Sequence, residues 1–168
     1  VVNGELVAAT RRTPGHVVGD GQRTVTELID IVNQDPRRGV GHEKVLTRLE
    51  LDAQAETMLE RAGLTASSIP GPGQVVFLRS TANLSTGGTA TDVTDEVHPE
   101  LAARAVTAAQ MVGLEICGVD VVCQSVLRPL EEQSGGVVEV NAAPGLRMHY
   151  IDVGPRDADR HRRDCDRE

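Results

Sequence analysis

Three stretches of the chain space their apolar residues as an amphipathic helix does. The first, residues 24–32, opens with the pattern of a capping box. The second follows Asp52 as its N-cap and ends at Gly63, and the third begins at Pro99 and runs to about Val112. The pattern therefore predicts three helices, each with its own start or stop signal.

Short apolar runs between these helices predict strands. Asn3-Gly4 lies between two apolar runs and is typical of a hairpin turn, but the arm before it has only two residues and is not expected to pair usefully. Further strands are predicted at residues 74–79, 116–122 and 137–141. This order of elements predicts an α+β fold with a largely antiparallel sheet and helices packed on it.

The last predicted strand carries an acid and an amide on one of its faces. Successive side chains of a strand point to opposite faces, so Glu139 and Asn141 share a face. The other face carries Val138 and Val140, which we expect to be buried. Asp120 interrupts the preceding apolar strand in a similar way. Together these residues offer two carboxylates and an amide oxygen, which are ligands suited to Mg²⁺.

Each of these residues also has a plainer interpretation. A salt bridge to an arginine explains Asp120 as well as a metal does, because a buried carboxylate needs a partner. Asn141 alone is compatible with a solvated position at the edge of the sheet. Because two strands bring oxygen ligands together, the set of three favours the metal site over these alternatives.

Composition and charge narrow the class of protein. The net charge is −8, which argues against a nucleic-acid binder that works through a basic face. The sequence has neither an apolar run of membrane length nor a signal-peptide pattern, so no membrane partner is expected. The three cysteines have no metal-ligand spacing, and Cys117 and Cys123, in or beside an apolar strand, are typical of buried thiols, which predicts a cytoplasmic location.

Two polar stretches stand apart from this pattern. Residues 80–98 are rich in Ser, Thr, Gly and Asp, and they predict a long loop that is either functional or flexible and solvated. Residues 151–168 are dense in acids and arginines and have almost no apolar residues, so they predict a charged, disordered tail.

Several motifs resemble one known family. GVD at residues 118–120 and VEVNAAPG at residues 138–145 resemble the metal-binding end of the ATP-grasp fold. Longer stretches resemble the ATP-grasp module of the cyanophycin synthetase family: VVNGELVAATRR, NQDPRRGVGHEKVLTRLELD, VVFLRSTANLSTGGTATDVTDEVHPE and EVNAAPGLRMH. The resemblance covers residues 1 to about 149. It implies that residues 1–150 are the C-terminal part of an ATP-grasp domain and that residues 151–168 lie outside it.

The resemblance implies an ATP-dependent carboxylate–amine ligase that uses ATP and Mg²⁺. In that family, ATP phosphorylates the C-terminal carboxylate of a poly-aspartate chain, and the amine of the next aspartate attacks the acyl phosphate. Aspartate and a primer of aspartate and arginine are therefore the implied partners, together with further copies of the chain in a homo-oligomer.

The resemblance also implies roles for individual residues. Asp120, Glu139 and Asn141 are implied to hold the metal, and Arg79 to clamp the phosphate or acyl phosphate, with an ion pair to a loop acid as the alternative for Arg79. The residues implied to contact ATP or the substrate carboxylate are Arg12, Asn83, Ser85, Thr86, Gly87 and Gly88.

Other roles and functions stay open. Arg12 has surface solvation as its alternative, and so have His42 and Lys44, whose loop is a candidate cover for the site. The glycine-rich flap and the phosphate-binding lysines of the family have no counterpart in the chain, so a partial module is expected. The alternatives are another ATP-grasp peptide ligase, such as a glutathione-synthetase-like or glutamate-adding enzyme, and a non-catalytic remnant.

Overall fold

The computed structural model describes residues 1–40 and 43–144, which form two compact units. Unit 1 comprises Val1–Arg11 and residues 91–144, and unit 2 comprises residues 12–40 and 43–90, as far as the described residues reach. The predicted tail at 151–168 lies outside the described residues.

The described residues contain three α-helices and eight strands. The helices are α1 (Val25–Val32), α2 (Ala53–Arg61) and α3 (Pro99–Val112). The strands are β1 (Thr10–Thr13), β2 (His16–Val18), β3 (Arg38–Gly39), β4 (Leu46–Thr47), β5 (Val75–Phe77), β6 (Thr89–Asp92), β7 (Gly118–Val122) and β8 (Gly136–Asn141). They pair two by two as β1–β6, β2–β5, β3–β4 and β7–β8. Pairs β2–β5 and β7–β8 are antiparallel and β3–β4 is parallel, which confirms the α+β prediction.

The three predicted helices are confirmed together with their capping signals. The Thr24 hydroxyl accepts the backbone N–H of Glu27 at 3.3 Å, and the Glu27 carboxylate accepts the N–H of Thr24 at 2.8 Å. The Asp52 carboxylate accepts the N–H of Ala55 at 3.0 Å at the start of α2. These contacts satisfy N–H groups that a helix start leaves without partners.

Unit 2 has an aliphatic core between its two helices and the β2–β5 pair. Helix α1 packs against β2, and α2 packs against β5. The buried members of this core are Val17, Val25, Leu28, Ile29, Leu49, Ala55, Leu59, Val76 and Leu78. The core holds β5 in place, and the chain leaves β5 directly into Leu78 and Arg79.

Unit 1 is built on the β7–β8 pair, against which α3 packs. The buried residues of α3 are Leu101, Ala105 and Ala109. The first residues of the chain extend this unit, since the Val1 nitrogen donates to the Cys117 carbonyl at 2.9 Å and the Cys117 N–H donates to the Val1 carbonyl at 3.0 Å. The expectation that this short arm cannot pair was therefore wrong, because its partner is the chain before β7.

The segment at 80–98 has more structure than the sequence predicted. It contains the strand β6, which pairs with β1, and two short 3₁₀ turns, Leu84–Thr86 and Thr94–Glu96. Ala90 and Val93 are buried, with 1% and 2% of their surface exposed. The strand depends on a partner almost eighty residues away in sequence, which local composition does not reveal.

Of the helices that the structure describes, none has both the length and the apolar character that crossing a membrane requires.

Acid should weaken the turn that leads into β3. Arg37 donates to both carboxylate oxygens of Asp35, from Nε at 3.0 Å and from Nη2 at 2.7 Å, and this lowers the pKa of Asp35 to about 2. The folded-state pKa is below the unfolded one, so the stabilisation is present above pH ~4 and is lost as the pH falls towards 2. We expect Asp35→Asn to cost about 1 kcal/mol at pH 7 and nothing near pH 2.

Urea unfolding at pH 7 and pH 2 measures this difference. Asp30→Asn, at an exposed position of α1, is the matched control and should change neither value by more than about 0.5 kcal/mol. An Asp35→Asn effect of equal size at both pH values would contradict the ion-pair explanation.

Candidate functional site

The register of β7 and β8 brings the predicted metal ligands to one face. Asp120 lies directly opposite Glu139, and Gly118 lies directly opposite Asn141. Residues directly opposite each other in an antiparallel pair have their side chains on the same face. Asp120, Glu139 and Asn141 are therefore neighbours on one side of the β7–β8 pair, as their spacing predicted.

A β-bulge interrupts this pair next to the three residues. Val121 pairs with Val137 while Asp120 pairs with Glu139, so Val138 is an additional residue without an opposite partner. Val138 is 67% exposed, and the expectation that it is buried was wrong. The bulge takes Val138 out of the alternating pattern, whereas Val140, opposite Val119, is half-buried.

Two carboxylates lie directly opposite each other on this face. Asp120 is half-buried and Glu139 is exposed, and like charges directly opposite each other in a sheet are destabilising. Gly118 presents no side chain opposite Asn141, and a Cβ there would lie 3.0 Å from the Cβ of Pro144. Pro144 therefore occupies the space beside Gly118, next to the carboxylate pair.

The donor set on this face suits a hard cation that is completed by other oxygens. Within the described ranges, no group of three or more His, Cys, Asp and Glu side chains is placed to hold a metal ion. Two carboxylates and the amide oxygen of Asn141 are too few for a closed cage. They fit Mg²⁺, which is usually held by one or two carboxylates with water and substrate phosphates.

Arg79 is buried in unit 2 immediately after β5. Only 5% of its surface is exposed, its Nη1 donates to the Leu78 carbonyl at 2.9 Å, and its Nη2 donates to Asp52 Oδ2 at 3.0 Å. The ion pair with a loop acid, the alternative interpretation, is therefore present. The buried Nε has no partner among the described residues. The predicted role as a phosphate clamp stays a prediction.

The loop at residues 83–88 is held together by its own hydrogen bonds. The carbonyl of Asn83 accepts the N–H of Thr86 at 3.2 Å and the N–H of Gly88 at 3.0 Å, and the N–H of Gly87 donates to Leu84 at 3.3 Å. The glycines of the predicted cradle thus use their N–H groups inside the loop. The side chains that the loop exposes are those of Asn83 and Ser85.

The two glycines of this loop are buried where no side chain fits. Gly87 has a φ of +89°, and a Cβ there would lie 2.6 Å from Leu49 Cδ2. A Cβ at Gly88 would lie 2.7 Å from the carbonyl oxygen of Asn83 and 2.9 Å from that of Thr13. The glycines therefore give the loop its shape, which leaves ligand contacts to the exposed side chains.

The remaining predicted residues are Arg12, Lys44 and His42. Arg12 is exposed in β1, and Lys44 Nζ donates to the Pro36 carbonyl at 2.9 Å. His42 lies outside the described residues. The metal residues belong to unit 1, whereas Arg12, Arg79 and the loop at 83–88 belong to unit 2.

The sequence pattern did not identify Arg38 as a residue of interest. It is only 8% exposed, and its Nη1 donates to the Thr47 carbonyl at 2.6 Å and to the Gly87 carbonyl at 3.2 Å. Burial lowers the pKa of the guanidinium below its usual value. The surrounding sequence is polar, so nothing in its pattern distinguishes Arg38 from a solvated arginine.

The chain is similar in sequence to a known domain and to several known proteins. The model of the RimK-like ATP-grasp domain matches residues 78–159. The chain is 55% identical over 149 residues to a cyanophycin synthetase from Nostoc sp., which covers 89% of this chain and 16% of that protein. It is 36% identical over 149 residues to the glutathione biosynthesis bifunctional protein GshAB of Clostridium perfringens, covering 89% of this chain and 19% of that protein.

A solved structure supports the same fold. The crystal structure of a bifunctional glutathione synthetase from Pasteurella multocida is similar with a TM-score of 0.78 and 36% sequence identity. The match covers 92% of this chain and 21% of that chain. The chain thus spans less than a quarter of each of these relatives.

Proposed function

We propose that the chain is part of a RimK-like ATP-grasp domain and supplies the metal-binding part of an ATP-dependent carboxylate–amine ligase of the cyanophycin synthetase type. The observation that carries the proposal is the register that places Asp120 opposite Glu139, with Asn141 on the same face. A cytoplasmic site of action is part of the proposal.

The proposed reaction has two steps that balance. An oxygen of the C-terminal carboxylate of a primer of aspartate and arginine attacks the γ-phosphorus of ATP, and ADP leaves. The amine of a free aspartate then attacks the acyl carbon, phosphate leaves, and the nitrogen loses a proton to water. The first step brings a carboxylate onto a polyanionic phosphate, so the site must supply positive charge.

In this proposal the positive charge comes from a cation that is bound to the acidic face of the β7–β8 pair. Asp120 and Glu139 would hold Mg²⁺ with their carboxylates, and Asn141 would hold it with its amide oxygen. The ion would offset the charge of the phosphates as the carboxylate approaches. Asp120 and Glu139 then lose their mutual repulsion when the cation binds.

Unit 2 carries residues that we propose, independently of the metal face, to bind anions. Arg79, whose Nη2 donates to Asp52 in the structure, would clamp the phosphate or acyl phosphate with its guanidinium. Asn83 and Ser85 would bind the substrate carboxylate with their exposed side chains, and Arg12 would contact the triphosphate from β1. Thr86, Gly87 and Gly88 would maintain the shape of the loop.

A second candidate is a ligase with another substrate. Identity to proteins named glutathione biosynthesis bifunctional protein GshAB is 35–38%, compared with 49–55% for the cyanophycin synthetases. The higher identity favours the first candidate. A homo-oligomer is included in the proposal as the family's expected assembly.

Binding of ATP with Mg²⁺ is the first test, and thermal unfolding of the chain measures it. Ligand at one hundred times its dissociation constant should stabilise the folded chain by about 2.7 kcal/mol. We expect Asp120→Asn and Glu139→Gln each to abolish this gain, since each removes one carboxylate ligand. Glu132→Gln, at an exposed position of unit 1, is the matched control and should keep it.

Two outcomes count against the proposal. A stabilisation that survives both substitutions would place the metal elsewhere, and no stabilisation of the unmodified chain would favour the non-catalytic remnant. Phosphate release from ATP that requires both an aspartate–arginine primer and aspartate would support the first ligase candidate over the second.

A further inference from the structure

Arg38 connects two separate segments of unit 2 through a single nitrogen. Its Nη1 donates to the Thr47 carbonyl at 2.6 Å, at the end of β4, and to the Gly87 carbonyl at 3.2 Å, in the loop at 83–88. Both partners are backbone atoms, so Arg38 fixes the position of main chain. The distance in sequence to Gly87 is 49 residues, which makes the contact specific to the folded unit.

Burying the charged guanidinium of Arg38 costs free energy, which indicates that the residue has a specific role. It is 8% exposed, and the partners that the structure gives its guanidinium within residues 1–40 and 43–144 are carbonyl oxygens. The carboxylate of Asp35 acts on the pKa of Arg38. The short hydrogen bonds of Asp35, however, come from Arg37. Carbonyl dipoles offset only part of the cost of burying a cation.

The segment that follows β4 also contacts the loop at 83–88 through packing. Gly87 lies against Leu49, close enough that a Cβ on the glycine would be 2.6 Å from Leu49 Cδ2. Gly39, next to Arg38, lies in β3, which pairs with β4. The β3–β4 pair and the two residues that follow it thus form a surface against which the loop at 83–88 rests.

We propose that Arg38 is a positioning residue for the substrate-binding loop at 83–88. The inference rests on the proposed function, in which Asn83 and Ser85 of this loop bind the substrate carboxylate. By holding the Gly87 carbonyl, Arg38 fixes the loop backbone in one conformation, so the backbone does not have to be ordered when substrate binds. A preorganised loop binds its ligand more tightly because this entropy cost has already been met.

Hydrogen exchange of the chain tests the structural half of the inference without any activity. In Arg38→Met, the amides of Thr86, Gly87 and Gly88 should exchange about tenfold faster or more, while those of α1 and α2 change by less than about threefold. Arg38→Lys keeps the charge and one donor group, so it should restore part of the protection. Arg23→Met, at an exposed arginine of the same unit, is the control and should leave all these rates unchanged.

The exchange experiment has clear contrary results. Equal acceleration in the loop and in both helices would make Arg38 a general stability residue, and unchanged loop rates would overturn the inference. If Arg38→Met does not fold, Arg38→Lys decides in the same way, since acceleration confined to the loop supports the proposal and its absence overturns it.

Kinetics test the functional half. With the aspartate–arginine primer as substrate, Arg38→Lys should raise the primer KM by about tenfold, with kcat and the KM for ATP changed by less than about threefold. A fall in kcat alone would contradict a positioning role. If the unmodified chain makes no product, the proposed function fails, and hydrogen exchange still decides whether Arg38 holds the loop.

Discussion

Replacing Asp52 with alanine is expected to lower the free energy of unfolding by about 3 kcal/mol, which is large for a residue that is half-exposed. The two carboxylate oxygens have separate partners. Oδ1 accepts the N–H of Ala55 at 3.0 Å and caps α2, while Oδ2 accepts from Nη2 of the buried Arg79 at 3.0 Å. One substitution therefore removes a helix cap and the counter-charge of a buried cation.

The magnitude follows from these two contributions. Loss of an N-cap costs about 1 kcal/mol. Leaving a buried charge without its partner costs about 3–5 kcal/mol, but the Asp52 side chain is 47% exposed, so water screens the pair and we take about 2 kcal/mol. Asp52→Asn retains an oxygen that can cap α2, and we expect it to be about 1 kcal/mol more stable than Asp52→Ala.

Urea unfolding of single and double variants measures the ion pair directly. In an Arg79→Met background the buried cation is absent, so Asp52→Ala should cost only the helix cap, about 1 kcal/mol. A full 3 kcal/mol loss in that background would show that Arg79 and Asp52 are not coupled. Asp30→Ala, an exposed acid in α1, is the control for removing a negative charge from a helix of this unit.

Replacing Gly88 with alanine should cost about 3 kcal/mol and disturb the loop at 83–88. The new Cβ would lie 2.7 Å from the carbonyl oxygen of Asn83 and 2.9 Å from that of Thr13, closer than real Cβ contacts come. Both obstacles are backbone atoms, so relief requires a shift of the main chain rather than a rotamer change. We therefore expect loss of the hydrogen bond from the Gly88 N–H to Asn83 as well.

A second glycine provides the matched control. Gly71 lies in the same unit, and a Cβ there would meet only Gln74 Oε1 at 3.8 Å, an ordinary contact. Gly71→Ala should change the free energy of unfolding by less than about 1 kcal/mol. Thermal or urea unfolding gives both values, and equal effects at the two glycines would contradict the steric explanation at Gly88.

The helices could be predicted from the sequence because their signals are local. The capping box of Thr24 and Glu27, the cap at Asp52 and the proline at the start of α3 each involve residues within a few positions. Strand β6 could not be predicted in the same way, because its partner β1 lies almost eighty residues earlier. Its own residues are polar enough to be interpreted as a loop.

The candidate site, too, could be predicted from the sequence only in part. The common face of Glu139 and Asn141 follows from the period of a strand, and the sequence also pointed to Asp120. The buried state of Arg38 and Arg79 did not follow, since an arginine in a polar segment is usually solvated. Their partners, two carbonyls and the cap of a helix, are set by the tertiary fold.

The bulge at Val138 has a consequence for anyone who transplants this acidic face. A regular hairpin designed by alternating apolar and polar residues would reproduce Glu139 and Asn141, but it would count Val138 as a paired position and shift Asp120 away from Glu139. The transferable unit is therefore both strands together with the surplus residue. A graft that keeps Val138 but pairs it regularly would place Asp120 opposite Val138, so it would keep every ligand in the sequence and yet separate Asp120 from Glu139 in space.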